Sequence, residues 1–234
     1  VIGILGGGQL GRMLSVAASR LGYRTHIFEP SAGAPAAQVA DQLTTAPYED
    51  KDALTAFANS VDVITYEFEN IPTAALDVLE KLRQIHPNRR ALAVSQDRLA
   101  EKQYLQSIGL SVAPYAEVNS VDDLQAAMAE IGVPSILKTR RFGYDGKGQV
   151  RLNTDSDPET AFADLAGAPA VLEGFIEFDR EISVIGTRAA DGQVACFDPG
   201  ENVHLDGILH TTTVPAQISG RQRMNAVLLA SQIL

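Results

Sequence analysis

Several residue types that define classes of protein are scarce in this sequence. Its 234 residues contain one cysteine, Cys196, which excludes a disulfide framework or a cysteine-based zinc site within one chain. Cys196 lies in the apolar stretch Val194–Phe197, so we expect it to pack as a small hydrophobic residue. No apolar run reaches the roughly 18 residues of a membrane span, and no secretory signal opens the chain. These absences predict a cytoplasmic protein without a membrane anchor.

Positive charge is also in short supply. The net charge is −10, with 45% hydrophobic and 21% charged residues, which is typical of a globular protein. An acidic chain repels nucleic acid unless it carries a local basic stripe. The densest basic cluster is Lys138, Arg140, Arg141 and Lys147, and glycines are interleaved with it. This composition favours a small polyphosphate over a nucleic-acid duplex.

The first part of the chain alternates between strand and helix patterns. We predict strands at Val1–Leu5, Thr25–Phe28 and Val61–Thr65, and the predicted helices are Gln9–Leu21, Lys51–Asn59 and Thr73–Arg83. This alternation is typical of a parallel sheet with right-handed crossovers. Residues 1–94 are therefore predicted to form one doubly wound, Rossmann-like α/β domain.

The pattern changes after a charged helix predicted at Gln96–Ile108. Strands are predicted at Val112–Glu117, Ser135–Lys138, Gln149–Leu152 and Ala170–Phe175, with helices at Asp122–Ile131 and Glu159–Leu165 between them. Ile182–Thr187 and Val194–Phe197 are expected to pair across a turn at Asp191-Gly192. The last segment, Arg221–Leu234, is an amphipathic helix without a C-cap, and we expect the natural protein to continue beyond it. Residues 95–234 are thus predicted to be α+β.

A first glycine-rich motif follows the first predicted strand. Gly6-Gly7-Gly8-Gln9-Leu10-Gly11 fits G-x-G-x-x-G, and Glu29 ends the next strand, where a ribose-binding acid would lie. Glycines at a helix N-terminus let an anion approach free N–H groups. This chemistry selects a phosphate without requiring a dinucleotide, so NAD, another phosphate ligand and a purely structural turn all stay open.

A second glycine-rich segment, Gly143–Gln149, lies between two predicted strands. Lys138 ends the strand before it, and Lys147 lies within it. A strand, a glycine loop and a returning strand are typical of a flap over a triphosphate, because backbone N–H groups can converge on phosphate oxygens. A plain hairpin with a basic tip is the alternative. Farther along, Glu173 and Glu181 lie at a strand end and a strand start, where carboxylates can hold ribose hydroxyls; ordinary exposed acids are the simpler interpretation.

The motifs GGGQLGRM, YEFENI, QDRLAEK, KTRRFGYDGKGQ, LEGFI, FDREISVIG and NVHLDGILHTT, in this order, resemble the N5-carboxyaminoimidazole ribonucleotide synthase family of ATP-grasp ligases. The resemblance covers essentially the whole chain. It implies a pre-ATP-grasp domain at 1–94 and an ATP-grasp domain at 95–234, with a small lobe at about 112–176 and an incomplete large lobe at 177–234. It also implies a homodimer that takes ATP, bicarbonate and aminoimidazole ribonucleotide.

The resemblance also implies roles for individual residues. ATP and the reaction centre would be contacted by Arg98, Lys138, Gly143, Tyr144, Asp145, Gly146, Lys147, Gly148, Gln149, Glu173, Gly174, Phe175, Ile176, Glu181 and His204, of which Lys138, Asp145 and His204 are the predicted catalytic residues. The nucleotide substrate would be contacted by Gly8, Gln9, Leu10, Glu67, Glu69 and Tyr144. From the residues alone, Arg98 could equally form a helix-surface ion pair and His204 could be a loop residue without a role.

No suitable Mg²⁺ ligands occur in a strand context before Leu234, so the metal ligands are expected beyond that residue, and the chain alone is expected to show weak or no turnover. Three other classes stay open. They are a different ATP-grasp ligase, such as a formate-dependent ribonucleotide transformylase or a biotin carboxylase, an NAD-dependent oxidoreductase, and a non-catalytic nucleotide-binding module. Binding of ATP or of NADH separates the second class from the others.

Overall fold

A computed structural model describes residues 1–144, 146–205 and 207–234. The chain divides into two compact units, Val1–Gln96 and Asp97–Leu234. Within the described ranges, no helix combines the length and the apolar character that a membrane crossing requires. Each unit has its own sheet and core.

The first unit is built on a parallel sheet with the strand order β3-β2-β1-β4. Its strands are β1 (Ile2–Leu5), β2 (Thr25–Phe28), β3 (Gln42–Thr44) and β4 (Val63–Tyr66). Its helices are α1 (Gln9–Arg20), α2 (Lys51–Asn59), α3 (Thr73–Leu79) and α4 (Arg89–Ser95), and a 3-10 helix spans Pro35–Gln38. The predicted α/β class with a parallel sheet is confirmed.

The two central strands of this sheet are covered on both faces and are largely buried. All four residues of β2 are buried, as is most of β1. One core lies under α2 and α3 and contains the ring pair Phe28 and Phe57, whose centroids are 5.4 Å apart. The carboxyl ends of β1 and β4 therefore emerge together from a rigid base, which places their following loops side by side.

The second unit begins with α5 (Arg98–Ser107) and contains an antiparallel sheet with the order β5-β8-β6-β7. The strands are β5 (Tyr115–Val118), β6 (Ser135–Thr139), β7 (Gln149–Leu152) and β8 (Ala170–Gly174). Two helices, α6 (Val121–Ile131) and α7 (Pro158–Asp164), cover one face and bury Leu124, Leu137 and Leu172. The other face of the sheet carries Lys138 and Glu173.

The rest of the second unit is smaller sheets and a helix. These are β9 (Glu181–Ser183), β10 (Gly186–Arg188), β11 (Val194–Cys196), β12 (Gly200–Leu205), β13 (Ile208–Thr213) and α8 (Gly220–Ile233). The predicted hairpin across Asp191-Gly192 is confirmed as β10–β11. The predicted strand Ile182–Thr187 is split in two, because its first part pairs with β12 instead. Cys196 is only half-buried.

Candidate functional site

The start of α5 is fastened to the end of β6 by Asp97. Its carboxylate accepts the N–H of Leu99 at 2.9 Å, which caps the helix, and also accepts Arg140 Nη2 at 2.6 Å. Burial alone raises the pKa of Asp97, but the bonds from Arg140, Ala100 and Leu99 outweigh it and lower the pKa below its usual value. A short charge-assisted pair thus sets the position of the first turn of α5.

Arg98, the first residue of α5, holds the beginning of the flap. Its Nε donates to the carbonyl oxygen of Thr139 and its Nη2 to that of Gly143, each at 3.1 Å. Its backbone N–H donates to Arg140 at 3.0 Å. The guanidinium therefore lies at the base of the flap, bonded to backbone carbonyl oxygens.

The flap between β6 and β7 closes on itself through Thr139 and Gly148. The Thr139 N–H donates to the Gly148 carbonyl oxygen at 2.8 Å. Gly148 has φ +68°, and a Cβ placed on it would lie 2.6 Å from Thr139 Oγ1, so a larger residue fits neither the backbone nor the space. Lys147 Nζ donates to Tyr144 Oη at 3.2 Å. The predicted residue Asp145 lies outside the described residues.

The tip of the flap comes close to the loop after β12. A Cβ placed on Gly207 would lie 3.8 Å from the Cα of Gly146 and 3.9 Å from Nε2 of Gln149. The flap is therefore near the strand that carries His204.

The predicted hinge, Glu173 to Ile176, begins in the last two residues of β8 and is already partly bonded within the protein. The N–H groups of Gly174 and Phe175 donate to Pro114 at 2.8 Å and to Pro134 at 3.1 Å. Arg151 packs on the Phe175 ring, 4.3 Å from its centroid. The side chain of Ile176 is half exposed. Because these two N–H groups already have acceptors, a ligand at this edge would bond to backbone carbonyl oxygens or to N–H groups beyond Phe175.

Glu173 and Lys138 face each other across β8 and β6. Lys138 Nζ lies 3.0 Å from Glu173 Oε2, and Lys102 Nζ on α5 lies 3.2 Å from Glu173 Oε1. Burial raises the pKa of Glu173, but the two ammonium groups outweigh burial and the net shift is downward. Glu173 is therefore a partly buried carboxylate and not the freely exposed acid of the simpler interpretation.

Glu181 and His204 meet through the pairing of β9 with β12. His204 Nδ1 lies 3.6 Å from Glu181 Oε1, and Asn202 Nδ2 donates to the same oxygen at 3.1 Å. Asn202 Oδ1 in turn accepts Thr212 Oγ1 at 2.9 Å. The carboxylate is thus oriented by an amide that is itself fixed.

The first glycine loop, in the other unit, bonds to carboxylates of the protein itself. The Gly7 N–H donates to Glu29 Oε2 at 2.8 Å and the Gly8 N–H donates to Glu67 Oε1 at 2.6 Å. The Gly11 N–H also donates to Glu67. Glu67 therefore occupies the anion position at the N-terminus of α1, and a phosphate could take that position only by displacing it.

A cavity of about 300 Å³ opens beside this loop. Gln9 and Leu10 are exposed at the start of α1, and Glu69 is exposed next to Asn70, whose Nδ2 donates to it at 3.1 Å. Glu67, in contrast, is half-buried and lines the cavity. The lining residues are Gly8, Glu29, Ser31, Gly33, Ala34, Pro35, Glu67 and Phe68.

Two residues of these clusters were missed by sequence reasoning. Asn202 lies two residues before His204, and the alternation of a strand would have placed both on one face. Lys102 lies four residues after Arg98 on the same helix face, which is also a readable spacing. Neither spacing reveals the distant carboxylate that each side chain contacts.

Family models match both units. The ribonucleotide synthetase preATP-grasp domain matches residues 1–96, and the ATP-grasp domain matches residues 103–234. The N5-carboxyaminoimidazole ribonucleotide synthase of Brucella melitensis is 52% identical over 100% of this chain and 65% of its own length. The resemblance drawn from the motifs is therefore confirmed.

Solved structures agree with the same family. An N5-carboxyaminoimidazole ribonucleotide synthetase in complex with ADP has a TM-score of 0.94 at 40% identity, over 99% of this chain and 62% of that one. The enzyme of Aspergillus clavatus, with ADP and 5-aminoimidazole ribonucleotide, has a TM-score of 0.88 at 27% identity, over 99% and 61%. The chain thus spans somewhat less than two thirds of these relatives. It belongs to the ATP-grasp family.

Proposed function

We propose that this chain is part of an ATP-dependent carbon–nitrogen ligase that carboxylates 5-aminoimidazole ribonucleotide with bicarbonate in purine biosynthesis. The products would be N5-carboxyaminoimidazole ribonucleotide, ADP and phosphate. The observation that carries the proposal is the cluster formed by Arg98, the flap, Lys138 and Glu173 in the second unit. The similarity to relatives that carry this name supports the choice of substrate.

We propose that the second unit binds ATP. Lys138 and Arg98 supply positive charge for the phosphates, and the flap glycines Gly143, Gly146 and Gly148 let backbone N–H groups approach them. Glu173 to Ile176 form the edge that reads adenine. Glu181, oriented by Asn202, holds the ribose hydroxyls, and His204 lies beside it.

The proposed reaction begins with phosphorylation of bicarbonate, continues with the release of CO₂ and ends with carboxylation of the amine. An oxygen of bicarbonate attacks the γ-phosphorus of ATP and ADP leaves, which gives carboxyphosphate. Carboxyphosphate releases phosphate and CO₂, and the amine nitrogen of the ribonucleotide bonds to the CO₂ carbon and loses a proton. Phosphoryl transfer needs charge neutralisation and alignment more than covalent help, and Lys138 with the flap supplies both. A closed flap excludes water from the short-lived intermediate.

Magnesium is the expected cofactor of this chemistry. No three His, Cys, Asp or Glu side chains come together in the described part of the chain in a way that could hold a metal ion. We therefore assign no magnesium ligand to these residues. The sequence expectation that the ligands lie beyond Leu234 remains a prediction.

We further propose that the first unit, about residues 1–94, binds the ribonucleotide. Gly8, Gln9, Leu10, Glu67 and Glu69 are the candidate contacts. The cavity beside Gly8 and Glu67 supports this choice, and its two carboxylates favour hydroxyl or amine donors of the ligand. A homodimer is proposed on the family resemblance alone, and a cytoplasmic location on the composition of the sequence.

Nucleotide binding tests the proposal first. We expect ATP with Mg²⁺ to raise the melting temperature of the 234-residue chain and NADH to leave it unchanged, because only a ligand of the folded state stabilises it. Lys138→Ala should weaken ATP binding at least about tenfold, which corresponds to ~1.4 kcal/mol. Lys81→Ala is the control, because Lys81 is exposed in the first unit.

Stabilisation by NADH instead of ATP would refute the assignment. Turnover is tested separately on the full-length gene product, by release of ADP that depends on aminoimidazole ribonucleotide. ADP release that is independent of this substrate would keep ATP binding and overturn the proposed substrate. Robust turnover by the 234-residue chain itself would show that the metal ligands lie within it.

A further inference from the structure

Helix α5 is attached to both ligand-binding elements of the second unit. Arg98 and Lys102 are four residues apart and lie on one face of the helix. Arg98 bonds to the carbonyl oxygens of Thr139 and Gly143 at the flap, whereas Lys102 reaches Glu173 at the hinge. Arg98 has been assigned above to the phosphates of ATP. Lys102 has no assigned role.

Lys102 is held in place by its surroundings. Its side chain is 13% exposed, and its Nζ lies 5.7 Å from the centroid of the Tyr115 ring. The hydroxyl of Tyr115 donates to Gln106 Oε1 on the same helix at 2.7 Å. A lysine this enclosed is not a solvated surface residue. Its ammonium group forms an ion pair with Glu173.

Glu173 is shared between two ammonium groups. Its Oε1 lies 3.2 Å from Lys102 and its Oε2 3.0 Å from Lys138, and its side chain is only 13% exposed. Both contacts lower the pKa of the carboxyl, so it is charged at neutral pH. If Lys138 turned toward a phosphate, Glu173 would need another partner, since an unpaired buried carboxylate is costly.

The charge balance of this cluster depends on Lys102. Arg98, Lys102 and Lys138 carry three positive charges, and Glu101 and Glu173 are the carboxylates that interact with them. Burial raises the pKa of Glu101, while Arg98 and Lys102 oppose that shift. With Lys102 present the cluster keeps a surplus positive charge for an anionic ligand. Without it, the charges cancel and Lys138 is bound to Glu173.

We propose that Lys102 is a positioning residue that neutralises Glu173 and so releases Lys138 for the phosphates of ATP. The inference rests on the proposed ATP site and adds a residue to it. Lys102 acts through Glu173 and Lys138 and does not itself touch the nucleotide. The role therefore concerns the phosphates and leaves the recognition of adenosine unaffected.

Binding measurements on the parent and five variants test the role. Isothermal titration with ATP, ADP and adenosine is carried out on the parent, Lys102→Met, Lys102→Arg, Glu173→Gln and the double variant Lys102→Met with Glu173→Gln. We expect Lys102→Met to bind ATP and ADP about tenfold more weakly and adenosine as tightly as the parent. Lys102→Arg, which keeps the charge, should recover most of the affinity. Lys81→Met, at an exposed lysine, should change nothing.

The double variant separates positioning from a structural role. Glu173→Gln removes the carboxylate that would hold Lys138, so Lys102→Met should weaken ATP binding by no more than about threefold when the double variant is compared with the Glu173→Gln single variant. A lysine that only anchors α5 predicts no such reduction of the effect and predicts a loss with adenosine as well. A lysine that contacts phosphate directly predicts a loss that Glu173→Gln cannot repair.

The failure of this inference differs from the failure of the proposed function. If the parent chain binds no ATP, the proposed ATP site itself is wrong. If the parent binds ATP and Lys102→Met binds it equally well, only the role of Lys102 is overturned. Circular dichroism of each variant checks that the chain is folded before titration.

Discussion

The two glycine-rich loops of this molecule have similar compositions and opposite electrostatic surroundings. In the first loop, Gly7, Gly8 and Gly11 donate their N–H groups to the carboxylates of Glu29 and Glu67. In the second loop, Arg98 holds the backbone carbonyl of Gly143, and Lys138 stands at the end of the preceding strand. Glycines give both loops the conformational freedom to bind an anion. The charge of the neighbouring side chains decides whether the anion comes from the protein or from a ligand.

This difference explains why the first motif is ambiguous in sequence. A G-x-G-x-x-G motif predicts a helix N-terminus with free N–H groups, and α1 begins at Gln9 as that predicts. Glu67 lies 59 residues after Gly8. No residue near the motif indicates that a carboxylate from so far along the chain will occupy the anion position at the N-terminus of α1. The second loop carries its own cations within a few residues, so its chemistry is local and could be read directly.

The largest expected effect concerns the closure of the second loop. Gly148→Ala forces a side chain into φ +68° and brings its Cβ to 2.6 Å from Thr139 Oγ1, so we expect a loss of about 2–4 kcal/mol in the free energy of unfolding of the second unit. Urea denaturation measures this loss, and ATP binding should weaken in parallel, because the flap can no longer close as it does here.

Gly109→Ala is the matched control for this change. Gly109 has φ +83° and no atom within 4 Å of an added Cβ, so the variant has the backbone strain without the clash. We expect it to cost about 1 kcal/mol and to leave ATP affinity unchanged. Equal losses in the two variants would mean that Thr139 does not define the closed loop.

The second prediction concerns a variant of the first glycine loop that should bind an external anion, as the second loop is proposed to do. Glu67→Gln removes the charge that two loop N–H groups share, and we expect a loss of about 1–2 kcal/mol in stability. Inorganic phosphate should then stabilise the variant against heat more than it stabilises the parent, because the anion position is no longer held by a carboxylate. Thermal melts with and without phosphate measure both effects.

Glu69→Gln serves as the control because Glu69 is exposed two residues away. We expect it to change stability by no more than about 0.5 kcal/mol and to leave the response to phosphate unchanged. If Glu67→Gln also fails to respond to phosphate, the two loops differ in geometry and not only in charge.

Much of the fold follows from local patterns, and the exceptions have physical causes. Lys51–Asn59 and Gln149–Leu152 are where periodicity predicts them, since one is amphipathic and capped by Asp50 and the other borders the glycine loop. The short edge strand Gln42–Thr44 and the helix Arg89–Ser95 have no clear apolar period and were not predicted. The pairing of Gly200–Leu205 with Ile208–Thr213 was also missed, although the Asp-Gly dipeptide between them is a hairpin signal.

The candidate site divides in the same way. Lys138, the flap and the acids Glu173 and Glu181 could be proposed from residue types next to strand ends. The partners that orient them could not, because Lys102 with Glu173 and Asn202 with Glu181 meet only through packing of distant segments. Local chemistry is readable in one sequence, whereas pairing across a sheet or between a helix and a sheet is a property of the fold.

The smallest expected effect distinguishes the two units by their response to pH. His26 on β2 is 6% exposed, and its ring nitrogens lie 2.8 Å from Ser60 Oγ and from Thr44 Oγ1. Burial lowers the pKa of His26 below 6.5. Below about pH 6.5 the unfolded chain therefore binds a proton at His26 more readily than the folded chain does. The contribution of His26 to the free energy of unfolding is complete above that pH and decreases as the pH falls, by at most ~1.4 kcal/mol per pH unit.

Urea denaturation of the parent between pH 7.5 and 5.5 measures that slope. In His26→Gln the slope should flatten, since the replacement does not titrate, while His210→Gln at an exposed position of the second unit should keep it. A slope that survives in His26→Gln would assign the pH response to another group. In the second unit, Asp97 and Glu173 have lowered pKa values and lose their contribution only at more acidic pH, whereas burial raises the pKa of Glu101, so that carboxyl lowers stability as the pH rises and opposes the slope of His26.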